Sequence, residues 1–228
     1  MTTNFISPSA AATFVRDHLP VGGLFAGHTW RVSPTPLPLG KETVAELETL
    51  GRVLLQFYRA INLLYRKSVE GKQPPWVAAL LDQGKPAELL QLQRAAAFKH
   101  DVPRVIRPDL LLTEAGLGLV ELDSVPGGIG LTAWLNQTYA AASPLGAPQQ
   151  GETPAPVLGG ADGMIQGFKS IFGDAPRVQL VISDEAATYR PEMEWLAGQI
   201  DPRTWQVRGQ SVPGFPTRRR RLSLLRAV

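Results

Sequence analysis

The chain has 228 residues, 44% of them hydrophobic, no cysteine, and a formal net charge of +3. That length suits one large domain or two small ones. The missing cysteines exclude disulfide staples, thiolate zinc sites and a cysteine nucleophile. Arg218, Arg219, Arg220, Arg221 and Arg226 fall in the last eleven residues, which contain no acid, and removing these five charges from +3 leaves −2 for residues 1 to 217. The body is mildly acidic, so nucleic acid is not the expected partner. No apolar run reaches the ~20 residues that span a bilayer, and the N-terminus lacks both a basic start and a signal-peptide core. A soluble, cytoplasmic protein without membrane contact is expected.

In chain order, residues 1 to 41 carry scattered Pro and Gly and read as an irregular arm with at most a short helix near Ala10 to His18. From Glu42 to Lys67, Val44, Leu47, Leu50, Leu54, Phe57, Ile61 and Leu64 recur every three or four positions, the period of one helix face. "PPWVAALLDQG" and "KPAELLQLQRAAAF" read as two further helices, each opened by Pro. Residues 42 to 101 are thus expected to form a helical subdomain. Residues 102 to 143 switch to short β-branched and leucine runs, a glycine-rich loop and the helix "GLTAWLNQTYAAA". Residues 144 to 160 read as a linker. In residues 161 to 211, "ADGMIQGFKSIF" predicts a helix, "RVQLVIS" an apolar strand and "YRPEMEWLAGQI" the helix behind it, the start of a Rossmann-like α/β unit. Residues 212 to 228 are expected to be a disordered basic tail. The predicted fold class is α/β, in the sense of a mixed α and β chain.

The stretch "RVIRPDLLLTEAGLGLVELDSVPGGIG" carries the chemistry. Two strands joined by Glu114-Ala115-Gly116 form a hairpin if Thr113 closes against Leu117, with Gly116 supplying the left-handed position of a three-residue loop. That register sets Leu111 opposite Leu119, Asp109 opposite Glu121 and Arg107 opposite Asp123. It also puts all four charged side chains on one face. The other face, Ile106, Leu110, Leu112, Val120 and Leu122, is expected to be core. Opposed carboxylates repel one another. Arg107 can neutralise one, leaving two for a hard cation, and an all-oxygen set favours Mg²⁺ or Mn²⁺ over Zn²⁺. A structural ion-pair cluster with Arg107 bridging Asp109 and Asp123 is the competing reading. In the following loop, Ser124, Gly127, Gly128 and Gly130 allow close backbone approach to a cofactor, at the positive end of the next helix.

Arg107-Pro-Asp109, Glu121-Leu-Asp123 and the Pro-Gly turn resemble circularly permuted ATP-grasp proteins similar to glutathionylspermidine synthase. The resemblance implies that Asp109 and Glu121 ligate Mg²⁺, that Asp123 stands where the family has a ligating Asn, and that Arg107 contacts the transferring phosphate of ATP. It extends over roughly residues 42 to 210, with "VQLVISDEAATYRPEMEWLA" similar to the family's subdomain that precedes the grasp. The family's nucleotide lysines and its second acidic cluster have no counterpart here. A truncated, inactive member is therefore expected. The complete class joins a small-molecule carboxylate to an amine at the expense of ATP. A non-catalytic nucleotide- or metal-binding module, or a structural one, is the alternative, and self-association through an exposed sheet edge is a further expectation. His18, His28 and His100 have no ligand spacing, Trp134 and Tyr139 are expected in the core, and Ser124 has no histidine partner for hydrolase chemistry.

Overall fold

The computed structural model describes residues 8–26, 33, 36–142, 157–209 and 226–227. In chain order the elements are α1 (Pro8–Asp17), α2 (Lys41–Val69), α3 (Pro75–Asp82), α4 (Ala87–Arg94), β1 (Arg107–Thr113), β2 (Gly116–Asp123), α5 (Ile129–Ala142), α6 (Gly163–Ser170), β3 (Val178–Ile182), α7 (Arg190–Ile200), β4 (Trp205–Gly209) and β5 (Arg226–Ala227). The fold is mixed helix and sheet, 53% helical with two small sheets. Among the described residues no helix is long and apolar enough to cross a membrane. The chain divides into two compact units, Leu39–Ser124 and Met1–Pro38 with Val125–Val228. The division therefore falls inside the stretch 102 to 143, and joins the helical segment to the hairpin.

In the unit Leu39–Ser124, α2 has Glu42 in its first turn and Arg66 and Lys67 in its last, complementing the helix dipole at both ends. It stops where Gly71 turns left-handed, at φ 72°. The Lys72 and Gly71 N–H groups then donate to the carbonyls of Lys67 (2.8 Å) and Ser68 (3.0 Å), closing the end by a Schellman motif. Buried Ser68 ties α2 to α3: its hydroxyl donates to Pro74 O at 2.6 Å and accepts from the Ala78 N–H at 3.0 Å.

In the other unit the sheet order is β4-β3-β5, with both neighbours parallel to β3. Val178 pairs with Trp205, Leu180 with Val207 and Ile182 with Gly209. Val178, Leu180, Ile182 and Trp205 are buried, and the Phe168, Phe172 and Trp205 rings pack edge to face or tilted at 4.9 to 5.9 Å. A second cluster joins buried Val15, Phe25 and Trp134, with Tyr139 packed against it. The Trp134 indole donates to His18 O, and the Tyr139 hydroxyl to Ser33 O. The expected parallel strand and helix pair after residue 176 is present, and "TWQVRG" supplies the second strand. The expected linker falls largely outside the described residues, as does His28. Of the expected disordered tail only Arg226 and Ala227 are described, and they form β5 beside β3, so β3 is not a sheet edge.

Candidate functional site

At the base of the hairpin Arg107 pairs with Asp123, Pro108 with Leu122 and Asp109 with Glu121. This is the register that charge and alternation demand. Above Asp109 it shifts: Leu110 meets Leu119, Leu111 meets Gly118, Leu112 meets Leu117 and Thr113 meets Gly116. The expected pairings of Thr113 with Leu117 and Leu111 with Leu119 are therefore corrected. The loop is the two residues Glu114-Ala115, and Gly116, at φ 112°, stands opposite Thr113. The Thr113 hydroxyl donates to Gly116 O at 2.7 Å and accepts from the Ala115 N–H at 3.2 Å, which stabilises the shorter turn. Val120 is the extra residue of a β-bulge, left without a partner where the two registers meet.

The bulge sorts the side chains. Leu117 and Leu119 join Pro108, Leu110, Leu112 and Leu122 on one side, while Arg107, Asp109, Glu121 and Asp123 share the other. The apolar side is not the buried core that alternation suggests. Leu112 is 59% and Val120 60% exposed, and Leu110 and Leu122 are half-buried. Two strands alone make no second layer, and within this unit only the β2 side meets α2 closely.

Arg107 Nη1 lies 3.2 Å from Asp123 Oδ2, so the guanidinium charge is spent on Asp123. Asp109 and Glu121 are both exposed, and no ion pair joins either among the described residues. Nor do any three acidic or histidine side chains converge to hold a metal among the described residues. The three-carboxylate set of Asp109, Glu121 and Asp123 is thus not gathered. What the hairpin offers is a carboxylate pair beside an occupied arginine.

The loop after β2 serves other ends. The Ser124 hydroxyl is hydrogen-bonded to the Tyr58 hydroxyl at 3.1 Å. In the unit Met1–Pro38 with Val125–Val228, a Cβ on Gly127 would lie 2.6 Å from the Tyr189 ring, and one on Gly130 would lie 2.4 Å from Glu192 O. Both glycines are needed for packing against protein. Gly128 takes φ 82° to turn the chain into α5. The Gly128 and Leu131 N–H groups donate to the two carboxylate oxygens of Glu192 at 2.7 and 2.8 Å, and Glu192 is fully buried. The helix end expected to face a ligand anion is filled by a carboxyl group of the chain itself.

Two polar features were missed in the sequence. Glu192 lies on the face of α7 that buries Met193, Leu196 and Ala197, and an acid inside an apolar face is the signal that marks it. In the unit Leu39–Ser124, Tyr65, Asp82, Gln93 and Arg94 form one network. The Tyr65 hydroxyl donates to Asp82 Oδ1 at 2.7 Å and accepts from Gln93 at 2.6 Å and Arg94 at 3.1 Å, and Arg94 also pairs with Asp82. Burial would raise the Asp82 pKa, but the Tyr65 and Arg94 hydrogen bonds outweigh it and hold the carboxyl below its ordinary value. Beside the network is a cavity of about 330 Å³ lined in part by Ile61, Arg66, Lys85 and Phe98. Arg66 is occupied there, donating to the carbonyls of Gln93 and Phe98 at 3.0 and 2.9 Å. None of the four charged hairpin residues lines this cavity. No protein-family model, curated protein or solved structure matches the chain.

Proposed function

We propose that the hairpin binds a hard divalent cation, Mg²⁺ or Mn²⁺, through Asp109 and Glu121, and presents it to the phosphates of ATP as one acidic wall of an ATP-grasp-like carboxylate–amine ligase site. The observation that carries this is the pairing of Asp109 with Glu121 across the strands, neither of them joined to a cation while Arg107 is committed to Asp123. Directly opposed residues of a strand pair have Cβ atoms about 4.5–5.5 Å apart, close enough for like charges to repel. A shared cation relieves that repulsion. Two carboxylates also suit magnesium, whose remaining shell is commonly water and substrate phosphate.

In the complete reaction class ATP phosphorylates a carboxylate, and an amine then displaces phosphate to form an amide. The bound cation would offset negative charge on the transferring phosphoryl group. Arg107 stands next to the pair, and its ion pair with Asp123 fixes where its guanidinium can meet a phosphate oxygen. Ser124, Gly127, Gly128 and Gly130 have no part in this proposal, because their approach is to Tyr58, Tyr189 and Glu192. No lysine of the chain is assigned to the nucleotide, and ligase turnover by these 228 residues alone is not expected. A purely structural hairpin is the second reading, favoured by the Arg107–Asp123 pair.

Titration with Mn²⁺, alone and with ATP, followed by the relaxation of water protons, separates the two. The functional reading expects Glu121→Gln to weaken Mn²⁺ binding by about tenfold or more, while the apo melting temperature stays the same or rises. Binding that is absent, or indifferent to Glu121→Gln, overturns it and leaves the structural hairpin. In that case Arg107→Ala should lower the melting temperature with no metal-dependent difference.

A further inference from the structure

The cavity beside Tyr65 combines an apolar wall with polar groups that are already spent. Its volume of about 330 Å³ lies among the rings of Tyr58, Tyr65 and Phe98 and the aliphatic side chains of Ile61, Leu81 and Val102. That is the size of a small-molecule site. Leu81 and Phe98 are 38% and 41% exposed, so apolar surface stays uncovered at its rim. The neutral polar groups of the wall find their partners within the chain. The Asn62 amide donates to Lys99 O at 3.0 Å and accepts from Arg66 Nε at 3.3 Å. The Gln93 amide donates to the Tyr65 hydroxyl and to Asp82 Oδ1, and the Tyr58 hydroxyl is bonded to Ser124. A ligand rich in hydroxyls would give up its water there for few new hydrogen bonds.

The charged groups of the lining are Arg66, Lys85 and Asp101. No ion pair joins any of the three among the described residues. Arg66 is held by Asn62 and by the carbonyls of Gln93 and Phe98, which leave its charge uncompensated. Lys85 makes one long bond, 3.3 Å from Nζ to the neutral Gln93 Oε1, although an ammonium has three donors. Asp82 also feels the Lys85 charge, but Asp82 is already paired with Arg94. With that pair included, the three cations Arg66, Lys85 and Arg94 face the two acids Asp82 and Asp101, an excess of one positive charge.

We propose that this cavity binds a small aromatic carboxylate, with its ring among Tyr58, Tyr65 and Phe98 and its carboxylate on the Lys85 ammonium. Aromatic side chains receive a further ring edge-on or offset, and a single anion matches the single excess cation. The hydrogen bonds among Tyr65, Asp82, Gln93 and Arg94 hold one wall in place before a ligand arrives, which lowers the ordering cost of binding. The site is independent of the hairpin cation, since none of Arg107, Asp109, Glu121 and Asp123 lines it.

Calorimetric titration of the full chain with 3-phenylpropionate, beside its neutral amide and the ringless propionate, tests this. The acid should bind saturably with a dissociation constant of about 1 mM or below. The amide should bind about fivefold more weakly, and propionate not measurably. Lys85→Met should bring the acid down to the level of the amide and leave the amide unchanged. Phe98→Ala should weaken both alike. Asp101→Asn removes the one acid of the lining and should leave the acid's affinity unchanged or raise it. All three positions are exposed, so far-UV spectra should not change. No saturable binding of the acid up to about 5 mM overturns the proposal. So does an amide or propionate bound as tightly as the acid, affinity indifferent to Lys85→Met or Phe98→Ala, or a loss with Asp101→Asn, which would mark a site for a cation instead.

Discussion

The two units of the chain reach a folded state by different means. Among the described residues fifteen of the twenty buried hydrophobics belong to the unit Met1–Pro38 with Val125–Val228, and five to Leu39–Ser124. Of the seventeen large hydrophobics left exposed, fourteen belong to Leu39–Ser124. The first unit is held by apolar burial around a parallel sheet. The second relies on polar ties: Ser68 between α2 and α3, Arg66 on backbone carbonyls, and Tyr65 at the centre of Asp82, Gln93 and Arg94. The contrast teaches that helix content is a poor guide to packing, since α2 is the longest helix and leaves Val53, Phe57 and Leu63 largely exposed.

The contrast can be broken by single substitutions. The largest effect is expected in the well-packed unit, at Glu192. Glu192→Ala leaves the Gly128 and Leu131 N–H groups without their acceptor and opens a cavity, a loss of about 3 kcal/mol or more. Hydrogen exchange should quicken first over residues 129 to 135, and unchanged protection there would show that α5 does not depend on this cap. A smaller effect is expected at the polar centre of the other unit. Tyr65→Phe keeps the ring but deletes a hydroxyl that makes three hydrogen bonds, for about 1–2 kcal/mol in a denaturant titration. A loss as large as that of Glu192→Ala would show that the unit Leu39–Ser124 is as tightly built as its neighbour.

The smallest effect is the dependence on pH. Asp82 is held below the ordinary carboxylate value when folded, so it binds protons less readily there than in the unfolded chain. Its contribution is complete above the unfolded value of about 3.9 and is lost as the pH falls through the lower folded value. Acid should therefore destabilise the wild type through this carboxyl, and Asp82→Asn should flatten that part of the profile. An unaltered profile would place the acid sensitivity elsewhere.

Much of the secondary structure was legible because apolar spacing and turn residues act locally. The three-and-four pattern predicted α2 within a few residues, and the unbroken run "RVQLVIS" gave β3 its place in a parallel sheet. The base of the hairpin was legible as well, since Arg107 opposite Asp123 is a favourable pair that fixes the register. Its tip was not. "GLGLVELD" alternates too loosely to announce a bulge at Val120, and the Thr113 hydroxyl bonds that favour a two-residue turn exist only once the turn has formed. The glycine loop was read as open to a ligand because a sequence shows which backbone can be approached and not what approaches it. The exposure of Val53, Phe57 and Leu63 on α2 escaped notice for a related reason: one apolar period was assigned to one face, when apolar residues continue around the helix.

The closed end of α5 has a consequence for affinity. Glu192 is a competitor tethered by α7, present at the two N–H groups at an effective concentration that a freely diffusing anion rarely matches. Any phosphate drawn to that helix end would have to evict a buried carboxylate and find it another partner. The loop's three glycines serve a lock whose key is already part of the chain.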